Sequence, residues 1–136
     1  MPAGHPQEAL RVGVHAFGFV AETSQAARDA FYPGYARMLQ TIGRERGWPP
    51  PSRAQFNAEC GPSGAYLIGS VREVTDKVMY VREVLGGVSR LTFQMTNVMM
   101  THDRMLRAIE LLGGEVAPLV RARRAAEAVA TGVGEA

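Results

Sequence analysis

Residues Leu10 to Val20 read LRVGVHAFGFV, and this stretch decides the fold. Apolar side chains stand at both alternating positions of the run, so a strand formed by it is apolar on both of its faces. Strands of that kind lie inside parallel sheets that helices cover on both sides. The stretch therefore predicts a buried parallel strand.

The segment after this strand predicts a helix and then a long loop. Thr23 or Ser24 is placed to cap the helix, and Pro33 should kink or interrupt it, so that two helical pieces are possible. Residues 43–64 read GRERGWPPPSRAQFNAECGPSG and are dense in Gly, Pro and Ser. They predict a partly ordered insertion loop, and a loop of this length is usually either functional or disordered.

A capping pattern marks the next helix. Ala65 to Ile68 is a short apolar run, and Ser70 followed by Glu73 predicts a capping box at the start of a helix. Gly86, with the glycine after it, should end that helix.

The last part of the chain repeats the alternation. Leu91 to Met95 predicts a second strand, and the helix after it should end at Gly113 and Gly114. A final helix is predicted to begin near Pro118, and residues 130–136 are predicted to be a disordered tail.

Strands that alternate with helices favour a parallel α/β architecture. Two or three strands close no barrel, however, so their edges and apolar faces must be covered by something else.

Composition limits the classes of protein to be considered. The chain has 136 residues, 46% of them hydrophobic, which is enough for one domain with a core. Its formal net charge is only +2, so the chain lacks the strong positive charge that is typical of nucleic-acid-binding proteins. A single cysteine, Cys60, excludes an internal disulfide and fits a reducing cytoplasm. The start of the chain does not read as a secretion signal, and no run of eighteen apolar residues predicts a membrane span.

Five segments together resemble a known family. They read, in order, LRVGVHAFGFV, FYPGYARMLQTIGRERGWPPPSRAQF, YLIGSVREVTDKV, LTFQM and IELLGGEVAPLVR, and the similarity covers roughly Pro2 to Arg121. The set resembles the last third of luciferase-like flavin-dependent monooxygenases. Such enzymes are TIM (β/α)8 barrels, which typically need about 250 residues. The resemblance therefore implies that residues 1–136 form a single partial domain, the C-terminal part of such a barrel.

The resemblance also implies an arrangement and a chemistry. Leu10 to Val20 is expected to be strand seven and Leu91 to Met95 strand eight, each with its helices, and residues 43–64 the insertion on the active-site face. The family uses reduced flavin mononucleotide (FMN), supplied by a separate flavin reductase, to activate dioxygen and insert one oxygen atom into an organic substrate. Some relatives use a deazaflavin instead.

Two alternatives follow for this chain. It is either the C-terminal fragment of such an enzyme, inactive without the missing part of the barrel, or a non-catalytic remnant that is stabilised by homo-oligomerisation, with or without a bound ligand.

Two residues of the first strand are candidates for the site. His15 is expected to direct its imidazole toward a flavin or substrate, and it is the catalytic candidate. The alternative is a histidine whose hydrogen bonds are satisfied in the core. Phe17 stands where relatives often carry a second histidine, and it is a candidate for substrate contact.

Other candidates lie at helix starts and strand ends. Gly69 and Ser70 are candidates for flavin phosphate binding because free amides at a helix start attract anions, although ordinary capping is the more common explanation. Gln94 is a candidate for flavin contact, and Met95 and His102 for substrate contact; otherwise these residues serve packing and helix entry. The histidines are too scattered to predict a metal site.

Overall fold

The computed structural model describes residues 12–95 and 100–131. Within them the chain forms, in order, β1 (Gly13–Ala21), α1 (Ser24–Arg46), α2 (Arg53–Cys60), β2 (Leu67–Ser70), α3 (Val71–Leu85), β3 (Arg90–Gln94), α4 (His102–Leu111), a π-helical turn (Leu112–Val116) and α5 (Ala117–Thr131).

The three strands form one parallel sheet in the order β2-β1-β3. The amino-terminal half of β1, Gly13 to Phe17, pairs with β3, and its carboxyl half, Gly18 to Ala21, pairs with β2. The predicted parallel α/β architecture is therefore confirmed, and the two predicted strands are direct neighbours. The short apolar run at residues 65–68 leads into a third strand, β2.

Helices cover both faces of this sheet. Phe19 and Val20 are adjacent in β1, so their side chains point to opposite faces. Phe19 packs in a cluster with Phe31 of α1 and Phe56 of α2. Val20 packs in a second cluster with Val74 of α3 and with residues of the α4–α5 region. The described residues thus form a three-stranded parallel sheet with helices on both of its faces.

Helix α1 is a single helix of 23 residues. Thr23 accepts a hydrogen bond from the amide of Ala26 at 3.0 Å and caps it, as predicted. The prediction that Pro33 interrupts the helix is wrong. Phe31 and Tyr35 on either side of the proline are buried against the sheet, and this packing holds the helix together across the missing hydrogen bond.

The predicted insertion loop at residues 43–64 is largely helical. Residues 43–46 still belong to α1, and residues 53–60 form α2, which Ser52 caps. Phe56 and Cys60 lie one helical turn apart and are both buried, so tertiary packing makes a helix of a segment whose composition predicts a loop. The connections that remain, 47–52 and 61–66, are short.

The end of the chain also differs from its prediction. Gly113 and Gly114 do not end a helix, because they lie in the π-helical turn that joins α4 to α5 without a break. Neither glycine has a positive φ, the conformation that stops a helix. Pro118 is the second residue of α5, close to its predicted start. Of the predicted tail at 130–136, the first two residues belong to α5 and the others lie outside the described residues.

Two glycines of β1 provide a matched test of this packing. A methyl group added at Gly18 would lie 2.4 Å from the ring of Phe93, whereas one added at Gly13 meets nothing within 4 Å. We expect Gly18→Ala to lower the free energy of unfolding by about 1–3 kcal/mol through overpacking. Gly13→Ala should leave it unchanged or raise it by up to about 1 kcal/mol. Urea unfolding measures both, and equal effects would contradict the described β1–β3 packing.

Candidate functional site

A shallow depression on one face of the sheet brings three of the predicted residues together. His15, Phe17 and Gln94 line it, with Tyr66 as a wall and two alanines, 16 and 65, completing a space of ≈ 290 Å³. The pairing register explains the arrangement, since Phe17 is the direct partner of Gln94 across the β1–β3 pair. His15 is two residues earlier in β1 and therefore lies on the same face as Phe17.

The depression lies where β3 ends and before β2 begins. Gln94 is the last residue of β3, and Tyr66 directly precedes the first residue of β2. Because Leu67 pairs with Gly18, the depression is level with the amino-terminal half of β1. The carboxyl ends of β1 and β2 lie at the other end of the sheet, where Ala21 pairs with Ser70.

Tyr66 is held in place by its neighbours. Its ring packs edge-on against Phe17, with 5.4 Å between the ring centroids, and its hydroxyl is 2.8 Å from the hydroxyl of Tyr35. Burial and the hydrogen bond with Tyr66 raise the pKa of Tyr35 well above its usual value, so Tyr35 stays neutral. The wall of the depression is therefore an aromatic ring that is packed on one side and hydrogen-bonded at its hydroxyl group.

A buried lysine fixes the backbone of the same tyrosine. Lys77 of α3 is only 4% exposed, and its ammonium group donates hydrogen bonds to the carbonyl oxygens of Tyr66 and, at 3.0 Å, of Glu59. Burial lowers the pKa of this amine. Lys77 thus joins α3 to the connection between α2 and β2, which carries Tyr66.

Gly69 and Ser70 lie at a different place, where β2 passes into α3. Ser70 is the partner of Ala21 at the far end of β1, and six residues of strand separate Ala21 from His15, roughly 20 Å. Ser70 caps α3 by accepting a hydrogen bond from the amide of Glu73 at 3.2 Å. The flavin phosphate candidates are therefore separated from the depression.

The capping box predicted at this helix start is only half formed. The Glu73 carboxylate bonds to Arg28 at 3.2 Å, while the amide of Ser70 donates to the Ser24 hydroxyl. Gly69 leaves room for Glu73, because a methyl group at Gly69 would lie 2.2 Å from its carboxylate oxygen. A cavity of ≈ 470 Å³ borders this helix start, and Glu73 and Asp76 line it together with Arg72. Lys77 lines this cavity as well, so its two carboxylates stand against two cations and its lining has no excess of positive charge.

The two remaining predicted residues are not part of the depression. Met95 is 8% exposed and belongs to the core on the α1 side of the sheet. His102 is the first residue of α4 and is exposed. Within residues 12–95 and 100–131, no three His, Cys, Asp or Glu side chains are grouped to hold a metal ion. No helix in that part of the chain is long and apolar enough to cross a membrane.

The solved structures that resemble this chain include two monooxygenases. The oxygenating constituent of 3,6-diketocamphane monooxygenase from Pseudomonas putida, a type II Baeyer–Villiger monooxygenase in complex with FMN, matches 88% of the chain with 21% identity and a TM-score of 0.59. The monooxygenase RslO1 from Streptomyces bottropensis matches 86% with 19% identity and a TM-score of 0.62. The chain shares the fold of one part of these monooxygenases. It spans only 36% and 33% of their lengths. No family model and no curated protein matches it.

The pair of tyrosines gives a pH-dependent contribution to stability. Because the pKa of Tyr35 is raised from its usual 10.0, the folded protein retains a proton that the unfolded chain loses. This contribution is fully present below pH 10 and is lost as the pH rises beyond it. We therefore expect the unfolding free energy of the wild type to fall more steeply above pH 10 than that of Tyr35→Phe. Urea unfolding at a series of pH values between 9 and 11 measures this free energy for both proteins. An equal fall of the unfolding free energy in the two proteins would contradict the raised pKa of Tyr35.

Proposed function

We propose that this chain is the C-terminal portion of a luciferase-like, flavin-dependent monooxygenase and that the depression forms one wall of its flavin and substrate site. The observation that carries the proposal is the likeness over 88% of the chain to a monooxygenase that binds FMN. The depression supports it, because three residues predicted to contact flavin or substrate meet there.

The lining of the depression fits the ring of a flavin and not its phosphate. Phe17 and Tyr66 offer an aromatic surface against which a planar ring can pack. The imidazole of His15 and the amide of Gln94 are placed to hydrogen-bond the polar edge of such a ring. None of the six lining residues is Lys or Arg, so the phosphate has to be held elsewhere.

The proposed coenzyme is reduced FMN, with deazaflavin as the alternative. When bound, it supplies the activation of dioxygen. The residues of this chain bind and orient the ring and the substrate. The Tyr66 wall, supported by Tyr35 and Lys77, keeps water away from one side of the ring.

The rest of the barrel and a flavin reductase complete this function in the proposal. The chain spans about a third of the length of either monooxygenase that it resembles, and a whole barrel typically needs about 250 residues. The missing part of the barrel and a flavin reductase are therefore the proposed partners, and the chain alone is expected to be inactive.

Flavin titration tests the proposed site. FMN is titrated into the purified full chain, and quenching of flavin fluorescence reports binding. Replacing a hydrogen-bonding side chain should weaken binding by up to about tenfold, so His15→Ala and Gln94→Ala should each raise the Kd. His102→Ala is the matched control, since this exposed histidine lies outside the depression, and its Kd should not change. Absence of FMN binding by the wild type, or one Kd for all variants, would contradict the proposal.

Two surface features favour the second candidate function, a non-catalytic remnant held together as a homo-oligomer. Each neighbour of β1 pairs with only one half of it, so half of each edge of β1 has no strand partner among the described residues. On α4, Leu106 and Ile109 lie one turn apart on the surface and are 46% and 51% exposed. Apolar side chains in this arrangement are suited to pack against a second copy.

Molar mass in solution distinguishes the two candidates. If the chain is a remnant that self-associates through α4, light scattering should show an oligomer for the wild type and a monomer for Leu106→Glu/Ile109→Glu. Leu119→Glu on α5, where the leucine is 42% exposed, is the control and should remain oligomeric. A monomeric wild-type chain that binds FMN would exclude the remnant.

A further inference from the structure

A second groove lies on the face of the sheet opposite the depression. Leu91 and Phe93 of β3 form part of its floor, and Val81 of α3 and Val120 of α5 form its sides. Leu91 and Phe93 alternate with Gln94, so they point away from the depression. The groove measures ≈ 310 Å³, and its lining is mainly apolar.

Four arginines line this groove around its apolar floor, and we call it the arginine groove. They are Arg82 on α3, Arg90 at the start of β3, and Arg121 and Arg124 on α5. Arg82 pairs with Glu127 at 2.5 Å. The other three have no carboxylate partner among the described residues. The formal charge of the chain is only +2, so this is a local concentration of positive charge.

The arrangement is complementary to an acidic, amphipathic polypeptide segment. An amphipathic helix lays its apolar face into a hydrophobic groove and keeps its polar side chains at the rim. Arginine at such a rim binds carboxylates through charge-assisted, often bidentate hydrogen bonds. The three arginines without a carboxylate partner come from two different elements, β3 and α5, so several carboxylates spaced along a segment match them better than the single carboxylate of a small ligand.

We propose that the arginine groove is a docking site for an acidic amphipathic helix of a partner protein. Apolar side chains of the helix lie over Leu91, Phe93 and Val120. Its Asp and Glu side chains pair with Arg90, Arg121 and Arg124. This site is separate from the proposed flavin site and does not depend on it, since it uses the other face of the sheet.

Fluorescence polarisation with a labelled peptide tests this docking site. The probe is a synthetic helix with Leu at positions i, i+3, i+4 and i+7 and Glu on its flanks, and it is compared with a version that has Lys for Glu. The full chain should bind the Glu peptide more tightly, and added salt should weaken this binding. Arg121→Glu/Arg124→Glu should weaken binding by at least about tenfold, the effect of losing one or two charge-assisted hydrogen bonds.

The matched control is Arg44→Glu/Arg104→Glu, which changes the net charge equally at two exposed arginines outside the groove and should change the Kd by less than about twofold. Arg121→Gln/Arg124→Gln repeats the test without reversing charge. Hydrogen exchange of the wild type provides an independent measurement, because the Glu peptide should protect residues 78–93 and 112–124.

Three results would overturn the proposal. One is equal affinity for the Glu and Lys peptides, and another is an equal loss of binding in the groove variant and the control. The third is that the chain ignores the peptide and binds anionic vesicles or single-stranded DNA through the same arginines, which would assign the groove to a different class of partner.

Discussion

The pairing of β1 with a different neighbour along each half is the constraint on which the rest of this structure depends. The chain crosses from β1 to β2 in one direction and from β2 to β3 in the other. Right-handed crossovers that run in opposite directions place their helices on opposite faces of a sheet. Phe19 therefore packs under α1, and Val20 packs under α3. A central strand covered in this way must be apolar on both faces, as β1 is.

The sequence predicts those parts of the fold whose signals are local. The parallel strand β1, the cap at Thr23 and the end of α3 at Gly86 each depend on a few adjacent residues, and each is found in the structure. The prediction that β1 is buried holds only for Gly18 to Val20, because the amino-terminal half of the strand is partly exposed. Helix α2 escapes prediction because its helicity comes from burial of Phe56 and Cys60 under α1. The sheet order escapes it too, because hydrophobic periodicity says which face of a strand is buried and nothing about which strand lies beside it.

In the candidate site, too, the sequence predicts what depends on local signals and misses what depends on tertiary contacts. His15, Phe17 and Gln94 can be selected from the sequence because they lie in the predicted strands, and register then brings them together. Tyr66 cannot be selected in this way, because its place depends on Tyr35, 31 residues earlier, and on the ammonium group of Lys77. Neither contact leaves a spacing signal. The residues that build the wall of the depression are thus visible only in the folded chain, whereas the polar residues that face it are visible in the sequence.

Strand β3 belongs to both surfaces for which a ligand is proposed. Successive side chains of β3 point to opposite faces of the sheet. Gln94 lines the depression, whereas Leu91 and Phe93 line the arginine groove. Among the described residues β3, which has only five residues, pairs with β1 and with no other strand. A ligand on either face that requires β3 in place stabilises this pairing by mass action.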